Sequence, residues 1–446
     1  MTIKMQLNEA VSSVLTPTKQ ETEAHQRWPW VEASIWTERM LTALENGVKG
    51  GQWYSLMDKV YAMTTLELAW QQVARNKGSH GVDHMSIGQF EAHKERYLTE
   101  LHDALKEGHY QPQAVKRVYI PKADGKQRPL GIPTVKDRVV QAALKLVIEP
   151  IFEHEFVAHS YGFRPQRGCK DALRQVNDLL KEGKVWVVDA DMKSYFDTIP
   201  HDQLMERVAE RISDGRVLAL IEQFLKQNIM DRLEEWTPTG GTPQGAVISP
   251  LLANLYLHSL DKLMEKQGTS MVRYADDFVI LCQSEEEAET ALGQVREWVE
   301  ANGLTLHPDK THLGNCMERG QGFEFLGYRF ESGRRMVRQK SLKALKDKIR
   351  MKTRRSRGVS LEQIIAELNP MLRGWFNYFK HARRWIFPQI DGFIRRRLRS
   401  LRIKQKTGQS FIGKSYHAHK LFPNAYFAAL GLFTMTEAHA AACQSR

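Results

Sequence analysis

Met271-Val272-Arg273-Tyr274-Ala275-Asp276-Asp277-Phe278-Val279-Ile280-Leu281 sets two adjacent carboxylates inside an apolar, β-forming stretch. Two such runs on either side of a turn predict a hairpin with the carboxylates at its tip. Taken alone, an ordinary Asp-rich turn is the better reading. A second stretch changes that balance. Lys184-Val185-Trp186-Val187-Val188-Asp189-Ala190-Asp191 has the composition of a buried strand ending in acids, and the chain then turns through Met192–Asp202 into a helix. A carboxylate at a strand end beside a hairpin bearing another supplies hard oxygen ligands. Two divalent ions held about 4 Å apart by such ligands clamp the attacking and leaving oxygens of a phosphoryl transfer.

The chain around these stretches has 446 residues, 42% hydrophobic and 26% charged, which is ordinary globular composition and excludes a wholly disordered protein. At about 150 residues per domain it holds roughly two to four domains. Its apolar runs, such as Phe278–Cys282 and Val247–Leu257, fall far short of the roughly 18 residues that span a bilayer, and Met1–Ala10 shows no secretory signal. Cys169, Cys282, Cys316 and Cys443 are scattered, which excludes a disulfide framework and a cysteine-rich zinc module and points to a reducing cytoplasm.

The net charge of +12 is unevenly spread. From Glu331 to Arg446 there are 26 Lys+Arg against 6 Asp+Glu, so the preceding residues are net acidic. Such a block repels itself unless a polyanion lies against it. A solvated surface serving only solubility is the plainer alternative. The aromatics between the charges (Trp375, Phe376, Tyr378, Phe379, Trp385, Phe393) favour nucleic acid instead.

Between Asn76 and Arg329 short β-rich runs (Val115–Ile120, Val185–Val188, Met271–Cys282) alternate with helical stretches (Arg138–Phe156, Asp202–Ile212), an α+β or α/β texture. Ser284–Ala301 reads as a helix with Ser284 as its N-cap. After Gly333 the pattern is helical and basic, and Pro370 is expected to break or kink the helix that carries Leu361 to Phe379.

Four further stretches complete an ordered set: Ile120-Pro121-Lys122 with Arg128-Pro129-Leu130-Gly131-Ile132-Pro133; Gly240–Gly245 with Ser249-Pro250-Leu251; Leu304–Lys310; and Phe325-Leu326-Gly327-Tyr328. With the two acidic stretches they resemble the reverse transcriptases of the group II intron type, intron-encoded proteins that also act as maturases. The likeness continues through Leu368-Asn369-Pro370 and Gly374-Trp375-Phe376-Asn377-Tyr378-Phe379, which is similar to the maturase region.

The resemblance implies an α+β fold: a right-hand polymerase with fingers and an antiparallel-sheet palm, then an all-α basic thumb. On that reading 1–75 are an N-terminal extension with the start of the fingers, 76–333 fingers and palm, 334–410 the RNA-binding thumb or maturase region, and 411–446 a short tail with a DNA-binding remnant as one option. It implies RNA-directed DNA synthesis with Mg²⁺, or Mn²⁺ as a substitute, and partners comprising the host intron RNA, a target DNA or primer, and deoxynucleoside triphosphates. A bacterial cytoplasm or nucleoid, or an organelle matrix, is the expected place.

Residue by residue, it puts the metal triad at Asp191, Asp276 and Asp277. Asp191 is preferred to Asp189 because Phe196, five residues on, then stands where the family has the ring that excludes a 2′-hydroxyl. Lys122, Arg128 and Gln244 match the nucleotide contacts, and Lys310 matches a lysine that protonates the leaving pyrophosphate. Arg164 matches a template contact or a structural arginine. Arg354, Arg355, Arg373, Trp375, Arg395, Arg396 and Arg397 are the expected RNA contacts. His154-Glu155-Phe156-Val157-Ala158-His159 mimics a zinc-protease helix but spaces its histidines five apart, off one face. No paired cysteines and histidines of a DNA-nicking domain follow the basic helices. Two rival readings use the same residues: a splicing-only RNA-binding maturase, and a reverse transcriptase put to defence or diversification.

Overall fold

The computed structural model describes residues 25–121, 125, 127–232, 234–407 and 416–444. In chain order its first strands are β1 (Val115–Pro121), β2 (Gln127–Ile132), β3 (Trp186–Asp191), β4 (Ile229–Asp231) and β5 (Glu234–Trp236). There follow β6 (Ser270–Tyr274), β7 (Asp277–Cys282), β8 (His312–Asn315), β9 (Phe323–Phe325), β10 (Tyr328–Glu331) and β11 (Arg334–Val337). Two compact units interleave along the chain. One takes the residues up to Gly168, Met192–Leu263 and Glu297–Thr305; the other takes Cys169–Asp191, Met264–Arg296 and everything from Leu306.

In the first unit the central element is the helix Val135–Glu153, capped by the Thr134 side chain, which accepts from the Asp137 N–H. Hydrophobic residues occur nearly all round it, so it is buried on most faces, and the helix Met63–Arg75 packs against it through Leu66, Ala69, Trp70 and Val73. Its Asp137 carboxylate accepts from the Tyr110 hydroxyl at 2.6 Å, which satisfies a polar group in this core. Beside it lies a sheet of order β2-β1-β4-β5, in which β1 and β2 pair antiparallel from Lys116↔Ile132 to Pro121↔Gln127.

The second unit holds the antiparallel sheet β6-β7-β3-β8 expected of a palm. Phe278–Cys282 of β7 are buried without interruption, as a central strand covered on both faces requires. The helix Cys169–Lys181 lays Ala172, Leu173, Val176 and Leu179 on β6 and β7. The Ser284 hydroxyl accepts from the Glu287 N–H at 3.2 Å, so the following helix Glu285–Ala301 begins where its cap predicts.

A small sheet, β11-β10-β9, precedes the basic helices Gln339–Lys352, Leu361–Phe379 and Ile386–Thr407. The boundary drawn at Gly333 falls in the turn between β10 and β11. The helix Leu361–Phe379 runs unbroken through Pro370. Proline removes one helical N–H there, but Leu361, Ile364, Ile365, Leu368, Leu372, Phe376 and Phe379 are all buried on one face, and that burial outweighs the loss.

Candidate active site

Strand register decides which acids meet. In the antiparallel pair β3–β7, Asp191 stands directly opposite Asp277, and Asp189 opposite Val279. Opposed residues share a sheet face, and so do residues two apart on one strand, so Asp189, Asp191 and Asp277 all project to the same side. Like charges directly opposed are unfavourable unless a cation lies between them. The carboxyl of Asp277 accordingly sits at about 7, driven up first by burial and then by Asp189, Asp276 and Asp191. Burial likewise lifts Asp189 to about 6, and the Glu324 N–H that donates to it offsets only part of that.

Asp276 lies in the two-residue turn Ala275-Asp276 that joins β6 to β7. Ala275 has φ of 60°, a left-handed conformation that strains a residue with a Cβ. The turn is held from within: Arg273, wholly buried, donates to the Ala275 carbonyl at 2.8 Å. An arginine interrupting an apolar strand is visible in the sequence, and its role as a brace beneath the acids is what the sequence reading missed.

The Lys310 ammonium donates to the Asp191 carboxylate. The loop that carries it is anchored by the His307 N–H, which donates to the Asp191 carbonyl at 2.7 Å. Among the described residues no three His, Cys, Asp or Glu side chains are gathered as a bound ion would gather them. The donor chemistry nonetheless fits a hard divalent cation: carboxylate oxygens from Asp191, Asp276 and Asp277, with Asp277 raised by burial and then by its like-charged neighbours.

The first unit builds a cleft of about 900 Å³ lined by Arg117, Pro129, Phe196, Asp197, Trp236 and Gln244 among others. Its floor is a backbone-to-backbone fit. The Gly241 N–H donates to the Ile199 carbonyl at 2.8 Å and the Thr242 N–H to the Phe196 carbonyl at 2.7 Å. A Cβ on Gly241 would come within 2.8 Å of the Asp197 backbone, and one on Gly245 within 2.4 Å of the Gly131 carbonyl. Only glycine permits that approach. Across the cleft wall the exposed Arg128 donates from Nε to Gln244 Oε1 at 2.7 Å, and Gln244 donates from Nε2 to Asp197 Oδ2 at 3.2 Å. Asp197 thus orients the Gln244 amide. Phe196 is half-buried on the same wall, and Tyr195 beside it anchors the turn by donating to the Ala253 carbonyl at 2.6 Å. Lys122 lies outside the described residues.

The expected RNA contacts divide. Arg354, Arg355 and Arg373 are exposed. Arg395 and Arg396 are half-buried and line one cavity. Arg397 turns back to close the end of the helix Gln339–Lys352, donating to Thr353 Oγ1 and the Thr353 carbonyl at 3.0 Å and to the Arg350 carbonyl at 3.3 Å. Trp375 packs on Phe379 with ring centroids 4.6 Å apart. Arg164 is 6% exposed and donates through all three guanidinium nitrogens, to Glu153 and to the Phe156, Val157 and Ser160 carbonyls. Those bonds suit the structural of its two readings. Glu155 of the zinc-protease mimic is paired with Arg211 at 2.8 Å.

Two family models match the chain: "Reverse transcriptase (RNA-dependent DNA polymerase)" over residues 120–330 and "Group II intron, maturase-specific domain" over 342–418. Protein YkfC of Escherichia coli is 36% identical over 57% of this chain and 77% of its own length. The Group II intron-encoded protein LtrA of Lactococcus lactis is 39% identical over 44% of this chain, and the match spans a third of LtrA's length. An uncharacterized 91 kDa protein in the cob intron of Schizosaccharomyces pombe is 36% identical over 44% of this chain and 24% of its own. No helix among the described residues is long and apolar enough to cross a membrane.

Proposed function

Because the chain belongs to the reverse transcriptases of the group II intron type, with their maturase-specific domain, we propose that it copies RNA into DNA and binds its host intron RNA to promote splicing and mobility. The observation that carries the catalytic half is the shared face of Asp191 and Asp277, with Asp276 one residue away. Asp191, Asp276 and Asp277 would hold divalent cation, Mg²⁺ or Mn²⁺, which when bound supplies charge stabilisation to the transferring phosphoryl group.

The remaining tasks fall to the chain's own side chains. Arg128, steadied by Gln244, presents a fork suited to phosphate oxygens. Phe196 fills the space beneath a bound sugar, so a ribose meets the ring where a deoxyribose does not. Lys310 carries a proton within reach of the acid end and would deliver it to the leaving pyrophosphate. A chain with these duties works where intron RNA is made, the bacterial cytoplasm or nucleoid or an organelle matrix.

The test is primer extension on an RNA template, run beside RNA binding. Asp276→Ala and Asp277→Ala should each abolish extension and leave binding largely intact, and processive synthesis by either variant would remove the assignment. Phe196→Ala should begin to incorporate ribonucleotides. Undiminished discrimination would place the sugar gate at another residue.

A further inference from the structure

Two cavities lie between the helices Gln339–Lys352 and Ile386–Thr407, about 220 and 450 Å³ in volume. Lys346 and Gln389 line both, so the two adjoin as one groove's halves on either side of those side chains. At one end stands Trp385, 46% exposed although it is a large apolar ring. At the other end are Arg395, Arg396 and His419, with Arg396 lying over the Phe393 ring at 5.3 Å.

The acids near this groove are engaged elsewhere. Asp347 pairs with Arg350 at 2.5 Å. Asp391, one helical turn before Arg395, accepts from the Met435 and Thr436 N–H groups at 3.0 and 2.9 Å and so caps the helix Met435–Gln444. Among the described residues no carboxylate pairs with Lys346, Arg395 or Arg396. Next in sequence, Arg397 is held below the usual arginine range first by burial and then by the neighbouring charges of Arg355, Arg350 and Arg396.

We infer that this groove binds a single-stranded stretch of nucleic acid, with an unpaired base stacked on Trp385 and successive phosphates lying along Lys346, Arg395 and Arg396. The inference rests on the RNA-binding reading above and specifies its site and strandedness. Cations alone would suit a duplex equally well. The aromatic ring selects between the two: a base in a helix is stacked on its neighbours and offers no open face, whereas an unpaired base does. The Gln389 amide at the junction supplies a donor and an acceptor for a base edge.

The full-length protein is titrated with a fluorescent oligouridylate and, separately, with a blunt-ended duplex RNA. Trp385→Ala should weaken oligouridylate binding about five-fold or more, the value of one missing stack, and shift duplex binding less than about two-fold. Trp385→Phe should recover most of the loss. Arg395→Gln with Arg396→Gln should make the salt dependence on the single strand shallower by about 0.7 for each phosphate no longer neutralised. Equal oligouridylate affinity in the parent and Trp385→Ala would overturn the groove while leaving the RNA-binding reading in place. Equal losses on strand and duplex would overturn its strandedness. A parent protein that binds neither probe would remove the RNA-binding reading itself.

Discussion

The acid end of the β3–β7 pair and the basic helices beyond Arg338 both gather charge of one sign, by opposite means. At the acid end the backbone does the gathering: hydrogen-bond register places Asp191 opposite Asp277, and neither can move without breaking strand pairing. Along the helices charge is spread over many long side chains, and the fold then sorts them. Arg357 pairs with Glu367, Arg397 closes a helix end, and Arg399 is buried against the Phe422 carbonyl and Asn424, while Arg354 and Arg355 stay exposed. A function fixed by register rests on single residues. One carried by a charged surface rests on the sum, and its members are unequal.

Four sets of variants put that contrast at risk. The largest effect belongs to Asp191→Asn, which should eliminate primer extension while RNA affinity stays within about two-fold, since the acid contacts no phosphate directly. Its strand neighbour provides the control: Asp189→Asn should retain extension within about ten-fold, because Asp189 is paired in register with Val279, two residues back from the Asp191–Asp277 pair. Equal loss from both would mean that register does not select the acid.

Next, Arg354→Gln with Arg355→Gln should lower RNA affinity about ten-fold and flatten its salt dependence by about 0.7 for each phosphate left without its cation, with extension at saturating RNA preserved. An unchanged slope would move the RNA-binding surface elsewhere on the helices. Smaller and different in kind, Arg397→Ala should cost about 1–3 kcal/mol of stability by orphaning the carbonyls at Arg350 and Thr353, read by denaturant melts. Its salt slope should match the parent's, and a drop like that of the Arg354 and Arg355 pair would erase the distinction between structural and binding arginines. The smallest effect should be a gain. In metal-free, mildly alkaline buffer Asp277→Asn should raise Tm by a few degrees, since it removes a buried charge facing like charges. Added Mg²⁺ should stabilise the parent and not the variant.

The same contrast explains what could be read in advance. The hairpin with its acids and the β3 strand were legible because alternation and strand composition are local, whereas Asp191 was tied to Phe196 only through the family resemblance. The stretch Gly240–Gly245 was legible as one of the ordered set, but the backbone it packs against, at Phe196–Ile199 and Gly131, was not. Arginines were the least legible. Arg164 and Arg397 owe their roles to main-chain carbonyls brought near by tertiary packing, and no spacing in the chain announces those. At Pro370 the helix is not broken for a related reason: the buried face that outweighs the proline's local cost belongs to the assembled unit.

The interleaving of the two units bears on how the chain is made. The first unit lacks its last segment, Glu297–Thr305, until about two thirds of the protein has been synthesised, and by then Cys169–Asp191 and Met264–Arg296 of the second have already emerged. A ribosome delivering residues from the N-terminus therefore presents a half-built unit, with helix Val135–Glu153 seeking partners, for much of translation. The first unit waits for about two thirds of the chain, and the second, though begun before the first is complete, waits longer still, for the residues from Leu306 on.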